Sequence, residues 1–204
     1  MPPLSRRLCL FCLALLPCLW LAFKVIQNDL GPEPAKTLVH FTGQWAFNFL
    51  CLTLAVTPFK RWLHWRWLQT HRRMLGLFAL FYACLHAIGY ALFLLGADWK
   101  GMGAELINRP YITVSIPALI ILIALGATSF QFAIKALGKN WQRLHYSIYA
   151  AALLAWLHVV WQVRASYFDA AKFGVIIGVL LLTRVYWHYQ KQRTVAAKQP
   201  HKQE

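Results

Sequence analysis

Six long apolar runs constrain this chain more than any other feature of its sequence. They cover residues 8–27, 38–59, 74–95, 111–132, 144–163 and 170–189. A helix needs roughly 20 mostly apolar residues to cross a bilayer, and each run meets that length. The 204 residues are 59% hydrophobic and only 13% charged, which is far too apolar for a soluble domain of this size. The sequence therefore predicts an all-α, polytopic membrane helix bundle with six transmembrane helices.

The first and last runs need separate comment. The first could instead be a secretory signal peptide, because Arg6 and Arg7 precede it. No small-x-small cleavage site follows it and its apolar stretch is long, so we expect it to stay as a span. The last run carries Lys172 and Arg184 near its ends, and both side chains are expected to extend to the membrane surface.

The distribution of Lys and Arg predicts the orientation in the membrane. When the loops are assigned alternately to two sides, fifteen of the 21 Lys and Arg fall on one side and six on the other. Five of the six acidic residues fall on the side that is poor in basic residues. By the positive-inside rule, both termini are then cytoplasmic. Topology thus accounts for the net charge of +15, and nucleic-acid binding is not needed to explain it.

The chain leaves no room for a soluble domain. Its longest loops are about 60–73, 96–110 and 133–143, and the tail at about 191–204 is short and polar. The sequence contains no GxGxxG, P-loop or HExxH motif, so nucleotide binding and zinc hydrolysis have no support. All five cysteines lie inside the runs, and Cys9 and Cys12 are predicted to be small buried apolar residues. Residues 1–204 are therefore predicted to form a single transmembrane domain.

Two histidines lie well inside apolar runs at the same predicted depth. At 1.5 Å per residue, His86 and His158 lie roughly 20 and 22 Å from the cytoplasmic ends of the third and fifth runs. A buried imidazole costs free energy unless its nitrogens find partners. Two imidazoles at one depth on different helices can supply both axial ligands of a haem iron. We therefore predict that His86 and His158 bind haem iron near the outer face.

A second, looser pair of histidines lies near the cytoplasmic face. His145 begins the fifth run and His71 begins the third. His145 and His158 are about 20 Å apart along a straight helix, so they cannot bind the same iron. Either they serve two cofactors or one of them is not a ligand. For His71, solvation in the loop is the favoured interpretation and haem binding is the alternative.

Copper or zinc would also accept two histidines. No third carboxylate or thiolate is expected at the depth of His86 and His158, so haem is favoured over both metals.

Five stretches of the sequence resemble a known family. They are HFTG (40–43), RRMLGL (72–77), CLHAIGYAL (84–92), ELINRPYITVSI (105–116) and LGKNWQRLHYSIYAAALLAWLH (137–158). Together they resemble the ferric-reductase-like transmembrane family, and within it the haem-binding membrane subunits of bacterial periplasmic methionine sulfoxide reductase systems. The resemblance covers nearly the whole chain. It implies that His86, His145 and His158 are axial ligands of haem iron.

The resemblance also implies cofactors and partners. The cofactors are haem b and FMN, and the electrons come from the quinone pool or a cytoplasmic flavin reductase. The acceptor is a periplasmic molybdopterin subunit that reduces methionine sulfoxide in oxidised proteins and forms a heterodimer with the membrane subunit. The chain would then be a multi-pass protein of the bacterial inner membrane, an electron-transfer subunit rather than the catalytic one. The number of haems stays open, because NADPH-oxidase relatives have two histidines in the third span and this chain offers only His86 and the marginal His71.

Two other functions stay open at this point. A cytochrome b anchor of a different dehydrogenase would share the haem and differ in its partner. A transporter that uses histidines for protons or metal would need further ionisable groups or broken helices inside the membrane, and the runs contain almost none.

Overall fold

The computed structural model describes residues 4–98, 100–162 and 167–197. These ranges form α-helices and connecting turns and contain no strand, which confirms the all-α prediction. The helices are α1 (Leu4–Ile26), α2 (Pro34–Trp62), α3 (Arg66–Gln69), α4 (Arg72–Gly89), α5 (Met102–Asn108), α6 (Pro110–Ala127), α7 (Gln131–Leu137), α8 (Lys139–Tyr146), α9 (Ile148–Gln162) and α10 (Phe168–Ala197). A π-helical turn, Tyr90–Leu94, continues α4.

Five helical segments of the described chain are long and apolar enough to cross a membrane. They are α1, α4 with its π-helical turn, α6, α8 together with α9, and α10. The 29-residue α2 is not among them, since His40, Gln44 and Asn48 lower its hydropathy. A polytopic membrane protein is therefore confirmed, whereas the count of six spans and the cytoplasmic termini stay predictions.

The three predicted loops contain short helices. α3 lies within 60–73, α5 lies within 96–110, and 133–143 holds most of α7 and most of α8. The tail is also more ordered than predicted, because α10 continues to Ala197 through good helix formers such as Gln, Lys and Arg. The rest of the predicted tail, 198–204, and position 163 of the fifth run lie outside the described residues.

The long helices form a ring around an apolar core. α2 packs along α4 and α6 packs along α9, while α4 also meets α6, and α10 lies against both α9 and α2. α4 and α9 stand opposite each other and do not pack along each other. We call the pairs α2/α4 and α6/α9 the two halves, and the plane between them the seam.

The two ends of the ring differ in the short helices that they carry. The end with α5 is named the outer end, and the end with α3, α7 and α8 the inner end, after the orientation that the charge distribution predicts.

Helix α1 lies outside the ring and is attached through Tyr82 of α4. The Cys18 N–H donates a hydrogen bond of 3.1 Å to the Tyr82 hydroxyl, which donates one of 2.9 Å to the Ala14 carbonyl. Residues 14 and 18 are one turn apart and would bond to each other in a regular helix. Pro17 breaks the ladder here, and the inserted hydroxyl satisfies both groups. The fully buried Tyr82 thereby ties α1 to the ring.

One prediction about side chains is wrong. Cys9 and Cys12 are exposed on α1 and not buried, because α1 contacts the ring along only one side. For Arg184, the extension to the membrane surface stays a prediction. Its Nη2 donates to the Leu54 carbonyl at 3.2 Å, and its guanidinium lies 6.0 Å from the centre of the Tyr149 ring.

Candidate functional site

His86 lies in the last turn of α4 and its ring rests against α2. Its Nδ1 is 2.9 Å from the carbonyl oxygen of Val39. A carbonyl oxygen can only accept, so Nδ1 carries the proton and Nε2 carries the free lone pair. The ring fits here because α2 has a glycine beside it: a Cβ at Gly43 would lie 2.8 Å from Nδ1. The α6/α9 half holds its histidine through a similar hydrogen bond to a backbone carbonyl.

His158 lies in α9 and is fixed by α6. Its Nδ1 is 2.8 Å from the carbonyl oxygen of Tyr111, which again leaves the lone pair on Nε2. Tyr111 belongs to the first turn of α6, where Pro110 supplies a first residue that needs no N–H partner. The Tyr111 ring also lies beside the imidazole, with 5.9 Å between the ring centroids.

The two imidazoles meet across the seam. Their ring centroids are 6.0 Å apart and their planes are inclined by 81°. Two metal–nitrogen bonds of about 2 Å place the nitrogens about 4 Å apart, and each ring centre lies about 1 Å behind its nitrogen, so a shared metal requires about 6 Å between centroids. In the described part of the chain, no hydrogen bond involves either Nε2 atom. The histidines that the depth argument paired are therefore neighbours, with both lone pairs free.

The donor set of this site limits which metal it fits. No group of three or more His, Cys, Asp or Glu side chains is assembled within residues 4–98, 100–162 and 167–197. A tetrahedral zinc site closed by protein ligands would need such a group. A haem iron needs only two axial ligands, because the porphyrin fills its other positions. Two opposed neutral imidazoles in an apolar ring thus fit a haem iron.

The inner end does not hold a matching pair. His145 stacks on Trp141 with 4.0 Å between centroids, and its Nε2 lies 3.2 Å from the Thr128 hydroxyl. That hydroxyl already donates to the Ala124 carbonyl, so Nε2 of His145 is the donor and is protonated. No described ring contact joins His145 to His71. As it stands, His145 offers no lone pair on Nε2.

His71 is buried, so the favoured interpretation of a solvated loop histidine is wrong. The residue is 1% exposed, because it caps α4 beneath the Trp67 ring. Its Nδ1 lies 3.0 Å from the Trp67 carbonyl, and its Nε2 is buried with no hydrogen-bond partner. His71 therefore has the same tautomer as His86 and His158 and an unused lone pair.

Sequence reasoning missed the groups that orient the two outer rings. These are the carbonyls of Val39 and Tyr111 and the close approach at Gly43. A residue pattern does not reveal which backbone carbonyl accepts a hydrogen bond. The available signal was the resemblance itself, since Gly43 ends the HFTG stretch and Tyr111 lies inside ELINRPYITVSI.

The fold and the site together define a class of protein, namely a polytopic membrane helix bundle with a pair of neighbouring histidines between its halves. Residues 42–156 match the family described as the ferric reductase like transmembrane component. The chain is 44% identical over 187 residues to the protein-methionine-sulfoxide reductase heme-binding subunit MsrQ of Herminiimonas arsenicoxydans, an alignment covering 90% of this chain and 85% of that one. It is 40% identical over 188 residues to the protein of the same name from Polaromonas naphthalenivorans (strain CJ2), with the same two coverages.

No solved structure matches the chain. The chain belongs to the MsrQ family within the ferric reductase like transmembrane components.

Proposed function

We propose that this chain is the haem-binding membrane subunit of a protein-methionine-sulfoxide reductase and that it holds a haem b between His86 and His158. The observation that carries the proposal is the neighbouring pair of imidazoles, with 6.0 Å between their ring centroids and each Nδ1 bonded to a carbonyl of its own half. The name of the two relatives, which describes a heme-binding subunit, supports the same conclusion.

Three groups of residues form the proposed haem site, each with its own role. His86 and His158 supply the two axial nitrogens, and the carbonyls of Val39 and Tyr111 fix the tautomer and aim of each ring. The apolar side chains of the ring exclude water and keep the imidazoles neutral. When bound, the haem supplies a one-electron carrier whose potential depends on these ligands and on their burial.

The path of the electrons follows from the predicted orientation. They enter at the inner end from the quinone pool or a cytoplasmic flavin reductase. They leave at the outer end to an MsrP-like periplasmic molybdopterin subunit, with which the chain forms a heterodimer for the repair of oxidised proteins. The location is the bacterial inner membrane, with both termini cytoplasmic. The family membership and the absence of a GxGxxG motif, which leaves the chain dependent on a separate donor, support this scheme.

FMN enters the proposal as a second cofactor through the family resemblance. The charge of the inner end suits its phosphate. The described ion pairs all lie at the outer end, whereas Arg61 and Arg184 of the inner end lie over the rings of Trp187 and Tyr149. The candidate ligands for any inner haem are His71, whose Nε2 has no partner, and His145, whose Nε2 would first have to lose its hydrogen bond to the Thr128 hydroxyl.

The haem site is tested with His86→Ala and His158→Ala, purified from membranes of cells supplied with haem. The matched control is His188→Ala, because His188 is exposed on α10 at the inner end. We expect each site variant to lose the low-spin b-type spectrum after dithionite reduction, while the control keeps it. Pyridine haemochrome quantitation per polypeptide gives the number of haems. A full low-spin spectrum in either site variant would rule out the pairing.

The partner is tested by capture from the outer end. A tagged chain should retain an MsrP-like subunit, and reduced quinone should then drive methionine sulfoxide reduction in the mixture. Retention of a different dehydrogenase would instead identify the chain as a cytochrome b anchor.

A further inference from the structure

A cluster of four polar residues at the outer end links α4, α5 and α6. Oε2 of Glu105, in α5, accepts hydrogen bonds from the Tyr90 hydroxyl at 2.9 Å and from Arg109 Nε at 2.8 Å. Arg109 Nη1 donates to the Tyr111 hydroxyl at 3.2 Å. We call Tyr90, Glu105, Arg109 and Tyr111 the outer corner. None of these four side chains takes part in the proposed ligation.

The outer corner joins the two halves of the ring. Tyr90 begins the π-helical turn four residues after His86, and Arg109 is the cap residue immediately before α6. The single oxygen Oε2 of Glu105 therefore bridges the α2/α4 half to the α6/α9 half. π-Helical turns inside helices often mark functional sites, and this one carries the residue that reaches Glu105.

The outer corner also adjoins the Tyr111 carbonyl. Tyr111 follows the Arg109 cap by two residues, and its carbonyl receives the hydrogen bond of His158 at 2.8 Å. A shift of Arg109 would displace the first turn of α6 and with it this acceptor. Arg109 is cationic at every physiological pH, and its hydrogen bond to the Tyr111 hydroxyl raises its pKa further.

We propose that the outer corner positions His158: Glu105 and Arg109 hold the Tyr111 carbonyl against the imidazole and thereby set how strongly that imidazole donates to the iron. The inference rests on the proposed function. A second-shell acceptor on Nδ1–H increases the basicity of a histidine ligand, which favours ferric over ferrous iron. Loosening the corner should therefore raise the reduction potential of the iron.

Two substitutions that each remove a charge distinguish a positioning role of the outer corner from a purely electrostatic role. Glu105→Gln removes a negative charge near the iron and Arg109→Gln removes a positive one, so a purely electrostatic role predicts potential shifts of opposite sign. Positioning predicts that both variants shift the potential upward, because both release the same carbonyl. The full-length protein is titrated in detergent while haem absorbance is followed, and the oxidised low-spin signal is recorded by electron paramagnetic resonance. We expect upward shifts and a broadened signal in both variants.

Two further variants complete the test. Tyr90→Phe alters no charge and should give a smaller upward shift. Glu33→Gln makes the same charge change as Glu105→Gln at an exposed pair with Lys36, and should give none. Opposite shifts in the two Gln variants, or no shift in either, would overturn the inference.

If the Gln variants do not insert into the membrane, Tyr90→Phe is the deciding variant. An unchanged reduction potential in Tyr90→Phe would then overturn the inference. A wild-type protein without b-type absorbance would overturn the proposed function and this inference together. A normal wild-type spectrum with unshifted variants would overturn only the inference.

Discussion

Gly43 is the residue on which the position of the His86 ring depends. A Cβ at this position would lie 2.8 Å from Nδ1 and 3.0 Å from Cε1, closer than side-chain carbons approach without displacement. The ring would have to move away from α2, and its hydrogen bond to Val39 would lengthen.

We expect Gly43→Ala to weaken haem binding by about tenfold or more, as loss of a second-shell contact does at other metal sites. Haem per polypeptide and the low-spin spectrum measure the effect. Gly178→Ala is the control, because no atom lies within 4 Å of a Cβ there. It should keep its haem and gain up to about 1 kcal/mol, since Ala favours a helix over Gly. A normal spectrum in Gly43→Ala would show that the ring has room to move.

Single residues also show how much of the candidate site could be predicted from the sequence. Depth along two apolar runs was enough to pair His86 with His158, because helical rise is fixed. It was not enough for His71, whose burial depends on the contact of its ring with the Trp67 ring of α3. The tautomer of His145 could not be predicted either, since it is set by the hydroxyl of Thr128, the C-cap residue of α6.

Among the helices, α1 is the one whose attachment depends most on one contact. The Tyr82 hydroxyl satisfies the Ala14 carbonyl and the Cys18 N–H next to Pro17. The other described contacts of α1 with the ring are mostly between apolar side chains, such as Phe11 with Phe78.

Tyr82→Phe should destabilise the attachment of α1 by about 1–3 kcal/mol, because it leaves a buried acceptor without a partner. Hydrogen–deuterium exchange should increase at residues 14–18, and the thermal unfolding midpoint in detergent should fall. Tyr186→Phe is the matched control, since Tyr186 is exposed on α10 and its hydroxyl only accepts from Gln190. Equal exchange in both variants would mean that the hydroxyl does not hold α1.

The long helices were predictable from the sequence and the short ones were not. Each apolar run corresponds to a helix or, in the fifth run, to α8 and α9 together. The four-residue α3 and the seven-residue α5 and α7 are too short to form by themselves and depend on tertiary contacts that no local pattern encodes.

At the scale of the whole molecule, α2 is the long helix whose composition least supports a membrane span, and it is also the most extensively packed helix. The mean hydropathy of α2 is too low for it to count among the membrane-spanning helices, yet its packing along α4 is the most extensive in the described chain. Its polar residues cost less in a ring of helices than they would facing lipid.

Reporter fusions test whether α2 crosses the membrane. Alkaline phosphatase should be active when fused after Gly31 or Gly101 and inactive after His64 or Gly138, since it folds only outside the cytoplasm. Green fluorescent protein at the C-terminus should be fluorescent. Phosphatase activity after His64 would mean that α2 does not span and that the six-span topology is wrong.

The seam has one more consequence. His86 and His158 come from opposite halves, so a ligand bound to both also holds the two halves together. Folding of the chain and binding of the cofactor then form one coupled equilibrium. A ligand present at 100 times its dissociation constant adds about 2.7 kcal/mol to the folded state. Cells starved of iron should therefore lose this chain to membrane proteases, so that its abundance rises and falls with porphyrin supply even when transcription is constant.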